Sequence, residues 1–120
     1  MNVAQMLAHM NDAFKICLGM KPAVNKSNWF NQYVKFNVAL VLPAWPKGEA
    51  TADEMAQDKQ GTSARDFYTE LEFLKTMMEV FNERGDSKLK PHPMFGALTK
   101  QQWADLFAKH LDHHLKQFGV

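Results

Sequence analysis

A chain of 120 residues with 46% hydrophobic and 22% charged residues has the size and balance of one ordinary globular domain. Its 14 basic and 13 acidic residues give a formal net charge of +1. This near-neutral balance provides no electrostatic argument for binding to nucleic acid or to an anionic membrane. The single cysteine, Cys17, cannot form an internal disulfide. With neither a secretory signal nor an apolar run of ~20 residues, we expect a soluble, cytoplasmic protein.

The first predicted helix, helix A, covers residues 3–18. Asn2 and Gln5 form a capping box before it, and Gly19 is placed for a left-handed C-cap. Cys17 lies on its apolar stripe and is interpreted as a small buried hydrophobe. The stripe recurs at helical spacing in Val3, Met6, Met10, Ala13 and Cys17.

The stretch VNKSNWFNQYVKFNVALVLP, residues 24–43, predicts helix B, capped by Ser27 or Asn28 and stopped by Pro43. It is apolar on almost all sides, which favours a buried helix or a subunit interface. Its β-branched residues are also compatible with a strand, but no partner strand is found elsewhere. In the Pro- and Gly-rich loop that follows, a second capping box predicts a short helix over 52–59.

Two further helices complete the predicted fold. Helix C runs from about residue 63 to 84, with an apolar stripe of Phe67, Leu71, Leu74, Met78 and Phe81. Helix D begins after the cap Thr99, with Gln102 completing a capping box, and ends at Gly119. Helices joined without strands predict an all-α, four-helix bundle that forms a single domain over residues 1–120.

Two histidines lie on the buried face of helix D. Trp103, Leu106, Phe107 and Phe118 define that face on a helical wheel. His110 and His114 fall in its middle, whereas His113 lies on its flank. A pair at i and i+4 is the spacing at which one helix supplies two imidazoles to a divalent metal ion. The metalloprotease motif fails, because Leu111 stands where that motif has glutamate.

A metal site of this kind usually has three protein ligands, and His9, on the shoulder of the apolar arc of helix A, is the candidate for the third. Plainer roles for these histidines stay open. A lone histidine on an apolar face is more often a core residue with one hydrogen bond, and histidines near a helix C-terminus gain from the helix dipole. His92, between Pro91 and Pro93, is interpreted as a structural or pocket-rim residue.

Glu70 interrupts the apolar arc of helix C. Its carboxylate is a candidate for two roles, an acceptor that orients a ligand imidazole or a general base acting on metal-bound water. The plainer possibility is a side chain that bends out to solvent. Gln117, three residues after His114, is interpreted as a polar partner or simply as a residue of the last turn.

The two ends of the chain resemble the DinB-like superfamily. The resemblance rests on HPMFGALTKQQWADLFAKHLDHHLKQFGV, residues 92–120, and NVAQMLAHMNDAF, residues 2–14, and is greatest for a branch that ends in KHxxHHxxQFG. It implies a DinB/YfiT-like four-helix bundle, often dimeric, whose divalent metal is held by one histidine of an early helix and an HxxxH pair of the last. At the matching positions these ligands are His9, His110 and His114.

What the resemblance implies for function is a metal-dependent thiol transferase or a metal-assisted hydrolase acting on a small molecule. We expect zinc or nickel, with iron next, a low-molecular-weight thiol as a second cofactor, and a homodimer. Relatives usually carry a further helix before helix A, so helix B, another subunit or a shortened N-terminus is expected to account for the difference. The alternative is a non-catalytic bundle for oligomerisation or ligand binding, with a structural or vestigial histidine cluster.

Overall fold

The computed structural model describes residues 2–41 and 61–119. Within these ranges the α-helices are α1 (Val3–Leu18), α2 (Phe36–Val41), α3 (Phe67–Glu83) and α4 (Lys100–Gln117). A π-helical segment, Phe30–Lys35, precedes α2, and a 3-10 turn, Asp86–Lys88, follows α3. The described residues contain no strand, only an isolated bridge between His92 and Gly96, and none of their helices is long and apolar enough to cross a membrane. The prediction of an all-α chain is confirmed for this part of the sequence.

The described residues form two compact units. The first contains residues 2–23 and 61–90, with α1 and α3, and the second contains residues 24–41 and 91–119, with α2 and α4. That the chain forms a single domain stays a prediction. The short helix predicted over 52–59 lies outside the described residues.

Helix α1 begins and ends where the sequence predicts. The backbone N–H of Gln5 donates to Asn2 Oδ1 at 2.8 Å, and the N–H of Asn2 donates to Gln5 Oε1 at 2.8 Å, so the capping box is complete. At the other end Gly19 has φ 79°, a left-handed conformation that glycine adopts without strain. Local chemistry alone therefore determines both ends of this helix.

Helices α1 and α3 pack together in the first unit, with the rings of Phe14 and Phe81 edge to face at 6.0 Å. The predicted stripe of α3 is wrong at its start, because Phe67 is 40% exposed. The helix begins at Phe67 with Asp66 as its cap, four residues later than predicted. The buried residues of α3 are Glu70, Leu74, Met77 and Phe81. A charged residue thus occupies a position that hydrophobicity alone assigns to an apolar one.

Glu70 is buried, with only 1% of its surface exposed, so the idea that it bends out to solvent is wrong. Arg65 donates to both carboxylate oxygens, from Nη2 to Oε1 and from Nε to Oε2, each at 3.1 Å. Asn11 Nδ2 donates to Oε1 at 3.0 Å. Burial raises the pKa of Glu70, but the hydrogen bonds from Arg65 and Asn11 outweigh it, and the pKa is lowered overall. The buried carboxylate is therefore ionised at neutral pH.

A second buried carboxylate, Asp12, lies on α1 and is fully excluded from solvent. It accepts hydrogen bonds from the backbone N–H of Thr62 at 2.7 Å and from the Thr62 hydroxyl at 2.6 Å. The Nζ of Lys21 lies 3.3 Å from Asp12 Oδ1. Together, Asp12 and Glu70 hold the segment 62–65 against the helices of the first unit.

Cys17 is completely buried on α1, which agrees with its interpretation as a small hydrophobe. Burial raises the pKa of its thiol to about 12, although the nearby charge of Arg84 acts in the opposite direction. The backbone carbonyl of Cys17 accepts from the N–H of Lys90 at 2.8 Å. The thiol therefore stays protonated at neutral pH.

Helix B of the prediction is divided in the structure into the π-helical segment and α2. The side chain of Asn37 donates to the carbonyl of Tyr33 at 2.6 Å, and such a bond competes with the regular backbone ladder. Phe36 is buried and lies 5.4 Å from the ring of Phe95. Trp29 and Tyr33, however, are 71% and 66% exposed, so the interpretation of a wholly buried helix is wrong. An interface with a second copy of the chain stays a prediction.

His92 is held in a tight turn of the second unit. Its backbone exchanges hydrogen bonds of 2.8 and 2.9 Å with Gly96, which has φ 72°. The His92 Nδ1 accepts from the backbone N–H groups of Met94 and Phe95 at 3.0 and 3.2 Å. The ring is 7% exposed, and burial lowers its pKa from 6.5 to about 4. These contacts support a structural role for His92.

The buried ion pair of Glu70 gives the first prediction. Glu70→Gln should lower the free energy of unfolding by about 1–3 kcal/mol at about pH 7, because the charged hydrogen bonds to Arg65 are lost. The loss is limited because Arg65 is half exposed and water can solvate its charge. Because folding lowers the pKa below 4.5, the advantage of the wild type exists above that value and is lost as the pH falls through the folded pKa. Urea unfolding at several pH values measures this.

Glu72→Gln is the matched control, because Glu72 lies on the same helix but is 71% exposed where it pairs with Lys75. It should cost less than about 1 kcal/mol. Equal losses in the two variants would show that the burial of Glu70 contributes nothing to stability.

His92 gives the second prediction. Since its pKa is about 4 in the folded protein and 6.5 for an unburied ring, the unfolded chain binds more protons between these values, and stability falls as the pH drops from about 6.5 to 4. The loss should be about 3 kcal/mol. In His92→Asn the amide oxygen can accept the same backbone N–H groups but does not titrate. The difference in Tm between wild type and variant should shrink over this window, and a constant difference would contradict the assignment.

Candidate metal centre

The register of α4 follows from its first turn. Thr99 Oγ1 accepts from the N–H of Gln102 at 3.1 Å, and Gln102 Oε1 accepts from the N–H of Thr99 at 2.9 Å, so the predicted capping box is present. The buried residues of the helix are Trp103, Leu106, Phe107 and His114, whereas Phe118 is 37% exposed and does not belong to this face. Three of the four predicted apolar positions are therefore confirmed, and the histidines continue the same face.

His110 and His114 meet within the second unit. Their Nε2 atoms are 2.9 Å apart, and their ring centroids are separated by 4.6 Å. His114 is 6% exposed and His110 is half-buried. Because the two residues are one helical turn apart, one nitrogen of each imidazole faces the same region beside the helix, as the i, i+4 spacing predicts.

The outer nitrogen of His114 also has a partner. Its Nδ1 lies 2.9 Å from Gln117 Oε1, and the Nε2 of the same amide lies 3.4 Å from His113 Nε2. Gln117 is therefore a polar partner of His114 rather than only a residue of the last turn. His113 is half-buried and contacts the pair only at its edge, with its ring centroid 5.2 Å from that of His114.

The other two predicted site residues lie in the first unit. His9 is 3% exposed on α1, between Ala8 and Met10, which are also buried. Glu70, on α3, makes its hydrogen bonds to Arg65 and Asn11. Its predicted role as a base or as an acceptor for a ligand imidazole is untested, and these contacts favour a structural one.

The chemistry of the histidine pair fits a metal ion. Two imidazole nitrogens bound to one tetrahedral ion with bonds of about 2.0–2.1 Å lie about 3.3 Å apart, which is close to the 2.9 Å between the two Nε2 atoms. Three histidines of the chain, His9, His110 and His114, could hold a metal ion. Because neutral imidazoles carry no charge, a divalent ion bound by them would keep its +2 charge and could attract a further ligand.

The sequence did not reveal every polar residue that organises these units. Asp12 was missed, and the signal that could have found it is weak, since its partner Thr62 lies fifty residues away. Gln117 was identified from the sequence as a possible polar partner, because a residue three positions after His114 on a helix faces the same side.

Comparison with protein families gives a match over nearly the whole chain. The model of the family described as Protein of unknown function (DUF1569) matches residues 1–119. Neither a curated protein nor a solved structure matches the chain. Since the match extends over nearly the whole sequence, the chain belongs to the DUF1569 family of proteins of unknown function.

Proposed function

We propose that the protein is a DinB-like four-helix bundle that binds one divalent metal ion through His9, His110 and His114. The observation that carries the proposal is the 2.9 Å separation of the Nε2 atoms of His110 and His114 on one helix. Two further facts support it. His9 is buried although it is polar, and the ligand atoms of these three side chains suit a common ion.

The donor set selects a class of metal. Imidazole nitrogens suit zinc, nickel and iron better than magnesium or calcium, which prefer oxygen ligands. Zinc or nickel comes first in this proposal and iron next. Three protein ligands leave a coordination position for water or substrate, the arrangement of catalytic rather than structural zinc sites.

The reaction that we propose is the transfer of a low-molecular-weight thiol to a small electrophile, in which the thiol loses its proton, forms a C–S bond and displaces a leaving group, or the hydrolysis of a small molecule. A divalent ion at this site would lower the pKa of a bound thiol or water. The chain itself supplies the two inward-facing imidazoles of α4 and the burial that keeps bulk water from His114. The resemblance to DinB-like proteins supports the thiol reaction over hydrolysis.

A non-catalytic bundle is the second candidate, and one observation favours it. The Nε2 atoms of His110 and His114 are already at hydrogen-bonding distance from each other, so the pair has a satisfied arrangement without a metal. In that case the histidines would contribute to folding alone.

Metal analysis gives the third prediction. The purified full chain, dialysed against metal-free buffer, should retain about one equivalent of a transition metal, since an ion bound by three imidazoles is held tightly. His110→Ala, His114→Ala and His9→Ala should each lose it, as measured by elemental analysis.

His113→Ala is the matched control, because His113 lies on the same helix and is also an imidazole, but touches only the edge of the pair. It should keep its metal. If His9→Ala also keeps the metal, the three-histidine site is wrong, and if the wild type binds none, the metal proposal as a whole fails.

Activity gives the fourth prediction. The metal-loaded chain should catalyse the reaction of a low-molecular-weight thiol with an aromatic electrophile, and both removal of the metal and His110→Ala should abolish the reaction, whereas His113→Ala should preserve it. Absorbance of the conjugate measures the rate. Hydrolysis of an activated ester without any thiol would favour the hydrolase. A loaded protein that does neither with a broad panel of substrates would favour the non-catalytic bundle.

A further inference from the structure

We propose that Gln117 is a positioning residue that holds His114 in the tautomer with its proton on Nδ1, so that Nε2 presents its lone pair to the metal. This inference deepens the proposed function and rests on it, but its first consequence concerns the metal-free protein. It follows from hydrogen bonds made within the second unit alone.

The direction of the hydrogen bond determines the tautomer. Gln117 Oε1 lies 2.9 Å from His114 Nδ1, and an amide oxygen can only accept. The proton must therefore be on Nδ1, and a neutral imidazole has no second proton for Nε2. His114 is 6% exposed, and its hydrogen bond to Gln117 is partly buried.

The other end of the Gln117 amide lies near His113. Its Nε2 lies 3.4 Å from His113 Nε2, and an amide nitrogen can only donate. A flipped amide would direct its oxygen to His113 and its N–H to His114, which reverses both bonds. At 3.4 Å and exposed to solvent, the contact with His113 is weaker than the 2.9 Å contact with His114, and the tautomer of His114 does not require it.

The tautomer of His114 sets the state of its neighbour. With a lone pair on His114 Nε2, the 2.9 Å contact requires the Nε2 of neutral His110 to donate. To bind a metal through both Nε2 atoms, only His110 must change, by moving its proton to Nδ1. His114 is already prepared, which reduces the reorganisation that metal binding requires.

The fifth prediction tests this in the metal-free full chain. Nitrogen-15 NMR of the histidine rings should show His114 as the Nδ1–H tautomer in the wild type. In Gln117→Met, which keeps the length of the side chain but cannot accept the bond, the signal should move to the Nε2–H form or to a mixture. A wild-type His114 with its proton on Nε2 overturns the proposal, whether or not the protein binds metal.

Metal affinity is the second measurement, made by competition with a chelator and zinc or nickel as the probe. Gln117→Met should weaken binding about 10- to 100-fold, the range for loss of a group that orients a ligand imidazole. Gln117→Glu should restore it, since a carboxylate accepts the same hydrogen bond. Loss in both variants would show that the residue matters only for helix structure and would overturn the proposal.

Gln101→Met is the matched control. Gln101 lies on the same helix, where its side chain donates to Asp105 at 2.8 Å, and its replacement should change neither the tautomer nor the affinity. If the wild type shows the Nδ1–H tautomer but binds no metal, the proposed function fails. The assignment of Gln117 as the group that orients His114 would still stand.

Discussion

The helical repeat of α4 is the constraint on which the candidate site depends. One face of this helix carries its buried aromatic and aliphatic residues in the first half and the histidine pair in the second. Because 3.6 residues complete a turn, packing of the first half fixes the direction of the second. The nitrogens of His110 and His114 are therefore positioned by the same contacts that form the core of their unit, and a shift in the packing of Trp103 would rotate these histidines as well.

The first unit differs in that it buries two charged side chains. Asp12 and Glu70 lie in the interior, where an unpaired carboxylate would be costly. Each is satisfied by residues of the segment 62–65. A buried ion pair often adds little net stability, because desolvation offsets the attraction. It does, however, restrict how its partners can be arranged. These carboxylates thus help to specify where the segment 62–65, which leads into α3, lies.

The sequence was informative wherever the governing interaction is local. The capping boxes at Asn2 and Thr99, the turn at Gly19 and the pair at His110 and His114 all involve residues within four positions of each other, so spacing alone predicts them. Long-range pairing was not predictable from spacing. The residues next to Glu70 in the sequence do not indicate that Asn11, fifty-nine residues away, donates a hydrogen bond to it. The π-helical segment was also missed, because the spacing of its residues is equally compatible with a regular helix.

The state of Cys17 restricts how sulfur could take part in any reaction of this protein. It is the only cysteine of the sequence, and its buried thiol, with a pKa of about 12, is neither a nucleophile nor an accessible target at neutral pH. A sulfur nucleophile would have to enter from solution and depart with the product. Thiol transfer would then be a two-substrate reaction, without a covalent enzyme intermediate at this cysteine. Thiol-selective alkylating reagents would leave Cys17 of the native chain unmodified while they consume the thiol co-substrate.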